Sequence, residues 1–251
     1  MLYSNVPIVG GGATPKDYGA TELGGHAAEL TQRSDVGRLW IKNDGRVHRY
    51  CKATTGGVDA YHGCLSLADD VIGEVIDTDS PSAAAAIGGT ETYITQTGFV
   101  KDQLVGAYIF IYATTGGQLR RVVHNDASLS AKTKIYVDEP WDQAIAGTEY
   151  CEMFENPWSL CTKTATAKAS TVAVPTCTAA ASYFFWGQVH GPCVVSPGHT
   201  LTPSSHHRQV GFGTNGAVFL ISSYPDEGMQ TAGWVMNYNS DNGPLIFLTI
   251  E

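Results

Sequence analysis

Apolar and polar residues alternate along this chain in short runs, and glycine- or proline-containing turns end each run, the rhythm of many short strands joined by tight turns. The clearest unit is a hairpin: Arg38 to Lys42, a turn at Asn43-Asp44-Gly45, then Arg46 to Lys52. Gly45 supplies the left-handed residue that a three-residue hairpin loop needs. A turn at Thr54 to Gly57 and an apolar strand from Cys64 to Leu67 follow. Strands are expected over 92–95, 107–112, 118–124 and 134–137, and in the last third over 183–189, 193–195, 210–212, 217–221, 233–237 and 245–250. In the run from Ala107, the residues Tyr108, Phe110 and Tyr112 share one face and Ile109 and Ile111 the other, which predicts a strand buried on both sides. Ala83 to Ala86 would open a helix, but Gly88 and Gly89 stop it, so helix content is expected to be low.

Where this rhythm breaks, the organisation shows. Residues 1–31 carry Pro7, Gly10 to Gly12, Pro15, Gly19 and Gly24-Gly25 with little periodicity, and read as an extended N-terminal arm laid over another surface. Ser80-Pro81-Ser82 opens a separate meander, and a stretch rich in Thr, Ala and Ser from Thr162 to Ala181 reads as the linker returning from it. The expected fold class is all-β: a β-barrel or sandwich domain built from 32–76 together with 166–251, with a smaller inserted β-domain at 77–165. An insertion needs its two ends close together, and both junctions are polar and proline-marked.

Composition narrows the partners. With 15 Lys plus Arg against 24 Asp plus Glu, and a net charge of -9, the chain lacks the dense basic surface that phosphate neutralisation needs, so no direct nucleic-acid partner is expected. No apolar run reaches the ~18 residues of a membrane span, and Met1 to Val9 lacks the basic start and apolar core of a leader, so a soluble protein made in a reducing cytosol is expected. The six cysteines, at 51, 64, 151, 161, 177 and 193, show no Cys-x-x-Cys spacing and read as free, buried small hydrophobes, although an even count also permits pairing.

Candidate chemistry is sparse. Gly10-Gly11-Gly12 follows an apolar run, but Pro15 stands where a dinucleotide loop wants its third glycine, so no cofactor is expected. His199, His206 and His207 crowd one polar loop without an acid to complete a zinc set, and Asp69, Asp70, Glu74, Asp77 and Asp79 lack the glycine-centred alternation of a calcium loop. Both read as solvated faces, and no catalytic set is nominated. The charge layout says more: Arg33, Arg38, Lys42, Arg46, Arg49 and Lys52 crowd the hairpin, six of the chain's 15 bases. Such a hairpin is suited to an acidic surface on a neighbouring copy or a larger assembly.

Four phrases then carry a resemblance: Gly37 to Trp40 with Asp44 to Ala53; Gly106 to Ile109 with Leu119 to Val122; Tyr183 with Trp186 to Cys193; and Phe247 to Ile250. In this order the chain resembles the capsid decoration (cement) proteins of tailed bacteriophages. The resemblance implies a non-enzymatic virion protein, made in the host bacterial cytoplasm, which binds the major capsid protein on the outside of the head. It also implies self-association, as a homotrimer with a dimer as the alternative. Expected capsid or subunit contacts are Tyr3, Val6 and Ile8 of the arm, Arg38, Trp40, Arg46 and Arg49 of the hairpin, and Trp186. The competing reading is a β-sandwich carbohydrate-binding appendage using Trp40, Trp141, Trp158, Trp186 or Trp234 as a stacking platform.

Overall fold

In a computed structural model of the chain, the described residues are 8–9, 27–54, 56–66, 70–75, 85–95, 97–113, 116–129, 132–145, 149–163, 170–204, 206–213, 215–223, 229–239 and 243–250. Among them the chain is all-β, and the one helical element is a 3-10 turn at Ile221–Ser223. The strands are β1 (Ile8–Val9), β2 (Leu39–Ile41), β3 (Val47–Lys52), β4 (Cys64–Ser66), β5 (Asp70–Val75), β6 (Glu91–Ile94), β7 (Tyr108–Ala113), β8 (Gly116–Asn125) and β9 (Thr133–Val137). They continue with β10 (Tyr150–Phe154), β11 (Cys161–Thr162), β12 (Thr171–Pro175), β13 (Phe184–Val194), β14 (Gln209–Phe212), β15 (Val218–Leu220), β16 (Gln230–Asn239) and β17 (Gly243–Thr249). Two compact units result: a split unit, Met1–Leu67 with Pro157–Glu251, and an inserted unit, Ala68–Asn156. Both junctions fall earlier than the turn signals place them. The reason is pairing: β5 is hydrogen-bonded to β10 of the inserted unit, while β11 returns to pair with β4 of the split unit.

The split unit holds one curled sheet in the order β1-β2-β3-β13-β17-β16-β14-β15, with β12 bridging β13 to β4. Strand β13 is its spine. Its first half pairs with β3 and β12 and its second half with β17, so the hairpin and the C-terminal strand are bound to one element. The sequence suggests two strands here because Gly191 and Pro192 interrupt the alternation; Gly191 takes a left-handed φ of 89°, yet Pro192 stays in register with Phe247 and the strand runs on. The hairpin forms as expected: Lys42 N donates to Arg46 O at 2.8 Å, and Gly45 takes a φ of 83°. The expected linker needs correcting. It contains β12, whose Ala173 and Val174 are fully buried, and a Cβ on Gly187 would come within 2.5 Å of Ala173 Cβ, so β12 and β13 approach closely. Small residues fill that narrow space, and smallness is what makes the segment read as a linker.

The core of the split unit has an apolar part around Val210, Val218, Val235, Ile246 and Leu248, and a part around Phe185 and Val189 that includes Cys51, Cys64 and Cys161. None of the six cysteines is in a disulfide. Burial pushes the Cys51 thiol up; Cys161 is raised well above the usual thiol range, chiefly because it is hydrogen-bonded to Cys51 and Cys64. Cys193, in the apolar part, is pushed up by burial to about 12.

The inserted unit is a six-stranded sheet in the order β5-β10-β7-β8-β9-β6. One face closes on a core containing Ile109, Ile111, Val122, Ile135, Trp141 and Met153. Arg120 reaches the edge of that core; its guanidinium donates to Pro140 O (2.8 and 3.0 Å) and Leu119 O (2.8 Å) and meets Asp142 at 2.6 Å. The expectation that β7 is buried on both sides is corrected here. Ile109 and Ile111 are wholly buried, but Tyr108 and Tyr112 on the other parity are exposed.

Candidate protein-binding surfaces

The basic hairpin carries Arg38, Trp40, Arg46 and Arg49, contact residues that the sequence nominates. Register places Trp40 opposite His48, Tyr50 opposite Trp186 and Lys52 opposite Phe184, so residues of one parity on three strands meet on one face. Trp186 lies 5.4 Å from Trp40 and 5.1 Å from Tyr50, and Tyr50 stacks on Phe184 at 5.7 Å with 7° between planes. These rings and Val36 form a small core of their own. Trp186 is thus 5% exposed and Trp40 half-buried.

Most hairpin bases are committed within the chain. Lys42 lies over Trp40 (4.8 Å), Lys52 over Phe184 (5.5 Å) and Arg49 over Trp158 (4.5 Å), where Arg49 also donates to Gly37 O at 2.8 Å. Burial, then the charge of Arg46, holds Lys42 below its ordinary pKa. Arg33 pairs with Glu29 and Arg46 with Asp44, each at 2.7 Å, and the hydrogen bond from Arg46 draws the Asp44 pKa down. Arg38 differs, since its buried Nε meets no acceptor among the described residues. Of the arm, Ile8 and Val9 form a parallel strand in register with Trp40 and Ile41, at the β2 edge; Tyr3 and Val6 lie outside the described residues.

A second surface escaped the sequence reading. On the face of the inserted sheet opposite its core, Tyr150, Glu152 and Phe154 of β10 lie beside Tyr112, Phe110 and Tyr108 of β7, and these beside Gly117, Leu119 and Arg121 of β8. Phe110 packs edge-on to Tyr112 at 4.7 Å, and Gly117 leaves room for its ring, since a Cβ there would lie 2.0 Å from it. The Tyr112 hydroxyl donates to the Glu152 carboxylate, which pushes its pKa up. Tyr108, Tyr112, Leu119, Val123, Tyr150 and Phe154 are each between 38% and 62% exposed. The sequence signal for this face is the apolar residues at both parities of β7, a pattern that double burial also produces. Toward β9 the face turns polar: His124 is held by Asp102 and lies 3.4 Å from Asp126, while Lys134 pairs with Glu91 at 2.9 Å.

A third surface lies on the split unit, where Trp234 faces Phe247 across β16 and β17 and Phe247 faces Pro192 of β13. Trp234, Met236 and Val194 are exposed there. The indole stacks on Phe247 at 5.5 Å with 10° between planes, so one of its faces is already covered. Trp141, another ring of the competing platform reading, is buried in the inserted core. Tyr61, Val194, Ser196, Pro197 and Gly243 border an open hollow of about 460 Å³ nearby.

The remaining sequence candidates do not converge. His206 and His207 are exposed, and His199 packs edge-on against Phe219 at 5.2 Å. Asp70 and Glu74 fall within β5, while Asp69, Asp77 and Asp79 lie outside the described residues. Among the described residues no group of three His, Cys, Asp or Glu side chains is arranged to hold a metal ion, and no helix is long and apolar enough to cross a membrane. The fold and surfaces define an all-β protein with two exposed aromatic sheet faces. No family model, curated protein or solved structure matches the chain.

Proposed function

We propose that this protein is a non-enzymatic structural component of a tailed-phage virion that binds the outside of the head, contacts the major capsid protein, and stabilises the capsid lattice. One observation supports this most. The phrases that carry the resemblance, far apart in the chain, fall on strands paired with one another: β2-β3-β13-β17 run side by side in the split unit, and β7-β8 are partners in the inserted unit. The exposed aromatic faces favour the same class, because contiguous apolar patches of this kind mark surfaces that work against other proteins. In mechanism, each copy binds only the assembled lattice and shifts its equilibrium toward the intact head, and many weak contacts act together. Head contact is assigned to the split unit, through Arg38 and the arm.

Purified heads lacking the protein should gain protruding density in negative stain when it is added, and should survive heating or low salt better. Deleting Met1 to Thr14 should abolish binding while leaving the folded body intact. Reversing Arg38 and Arg46 together should weaken it; Arg49 is the wrong residue to reverse, because its partners Trp158 and Gly37 hold the fold. A folded protein that fails to sediment with heads at any salt concentration would remove the proposal.

A further inference from the structure

We infer that the open aromatic face of the inserted unit is a self-association surface, which takes the same face of a second copy through a two-fold axis running along β7. The surface is large enough. Four aromatic side chains between 38% and 62% exposed, at about 150–250 Å² each when whole, leave on the order of 400 Å², and the exposed Leu119 and Val123 bring the patch to on the order of 500 Å², near the upper end for one patch on a monomer. Two such faces together reach the ~1,000 Å² at which a specific interface begins.

Charge identifies the occupant. Glu152 lies on β10 and Arg121 on β8, the strands on either side of β7, with Tyr108, Phe110 and Tyr112 of β7 between them. A two-fold along β7 exchanges left and right, so Glu152 of one copy comes to the β8 side of the other, where Arg121 lies one residue pair along. The long arginine side chain spans that offset. The face is therefore its own electrostatic complement, as an isologous contact requires. An acidic or basic macromolecule would find one opposed and one like charge instead.

The contact is small and is expected to be of micromolar strength. It does not depend on head binding, and its test contains no heads. Sedimentation equilibrium of the full chain should show concentration-dependent dimerisation through this face. Glu152→Arg and Arg121→Glu should each weaken association about tenfold, and the double exchange should restore it to within about threefold, because a self-complementary face keeps its opposed charges when both signs are swapped. Tyr150→Ser, at a 62% exposed position, should weaken association while leaving circular dichroism unchanged, and serves if a charge variant misfolds. A wild-type chain that is monomeric throughout, single reversals without effect, or a double exchange that fails to rescue would each overturn the inference.

Discussion

Trp186→Ala separates a contact residue from a core residue. If Trp186 binds a partner, truncation should spare the fold and abolish binding. The structure argues otherwise: the ring is 5% exposed, 5.1 Å from Tyr50 and 5.4 Å from Trp40. Truncating a buried tryptophan costs about 3–5 kcal/mol, and part of that is the two ring contacts, at about 0.5–1.5 kcal/mol each. Against a total stability of about 5–15 kcal/mol, a loss near 4 kcal/mol would remove much of what holds the split unit. For a unit of its size, at about 2–4 °C per kcal/mol, the midpoint should fall by about 10 °C. Scanning calorimetry with near-ultraviolet circular dichroism reads this directly, and a transition of the inserted unit should stay where it is. Trp234→Ala is the control: exposed and stacked only on Phe247, it should cost about 1 kcal/mol. A Trp186→Ala midpoint within about 2 °C of wild type would show that the ring cluster carries little stability and return Trp186 to the list of contacts.

Other outcomes follow from single environments. Gly216→Ala should be far more costly than Gly45→Ala in urea midpoints: both have left-handed φ, 73° and 83°, but a Cβ at Gly216 lands 2.0 Å from Gly63 O while one at Gly45 meets nothing within 4 Å. Arg120→Met should cost the inserted unit about 1–2 kcal/mol, because its acceptors Pro140 and Leu119 belong to exposed residues that water can reach; Asp142→Asn, at a 78% exposed partner, should change stability by less than about 0.5 kcal/mol. Under native conditions a thiol reagent should modify Cys177, the half-buried cysteine, before the buried five. Cys193 rises from 9.0 to about 12, so the folded state holds its proton more tightly than the unfolded chain. Its contribution is intact below pH 9 and is lost as pH climbs toward 12, by up to about 4 kcal/mol at ~1.4 per unit. Cys193→Ala should flatten the fall in urea-measured stability over that window, and an unchanged slope would refute the assignment.

What was legible in the chain was mostly local. The hairpin turn could be read because Gly45 has one conformational purpose, and strands such as β8, β9 and β16 because bulky β-formers alternate over several residues. What escaped was settled by distant partners. Strand β12 looks like a linker until β13 comes within reach of Ala173, and β10, with Tyr150, Glu152 and Phe154 on one parity, has no strand-like polar alternation to announce it. The hairpin bases were visible as a cluster, but their internal use was not, since Trp158 and Phe184 are more than a hundred positions away from Arg49 and Lys52.

The most instructive difference is β7. Apolar residues at both parities ordinarily mean a strand with protein on both sides, and that inference takes no account of whose protein it is. Here Ile109 and Ile111 are covered by the unit's own core, while Tyr108 and Tyr112 stand open. The composition of the two faces differs accordingly: the closed face uses isoleucine, which has no polar atom to satisfy, and the open face uses tyrosine, whose hydroxyl tolerates water before a partner arrives. A two-sided apolar strand whose outward residues are tyrosines is thus a sequence mark of association. Strands β16 and β17 are two-sided in the same way, with Trp234 and Phe247 outward and Val235 and Ile246 inward, but their outward pair stacks on itself and Phe247 has no polar atom to hold water, so this face meets the mark less well than β7 does.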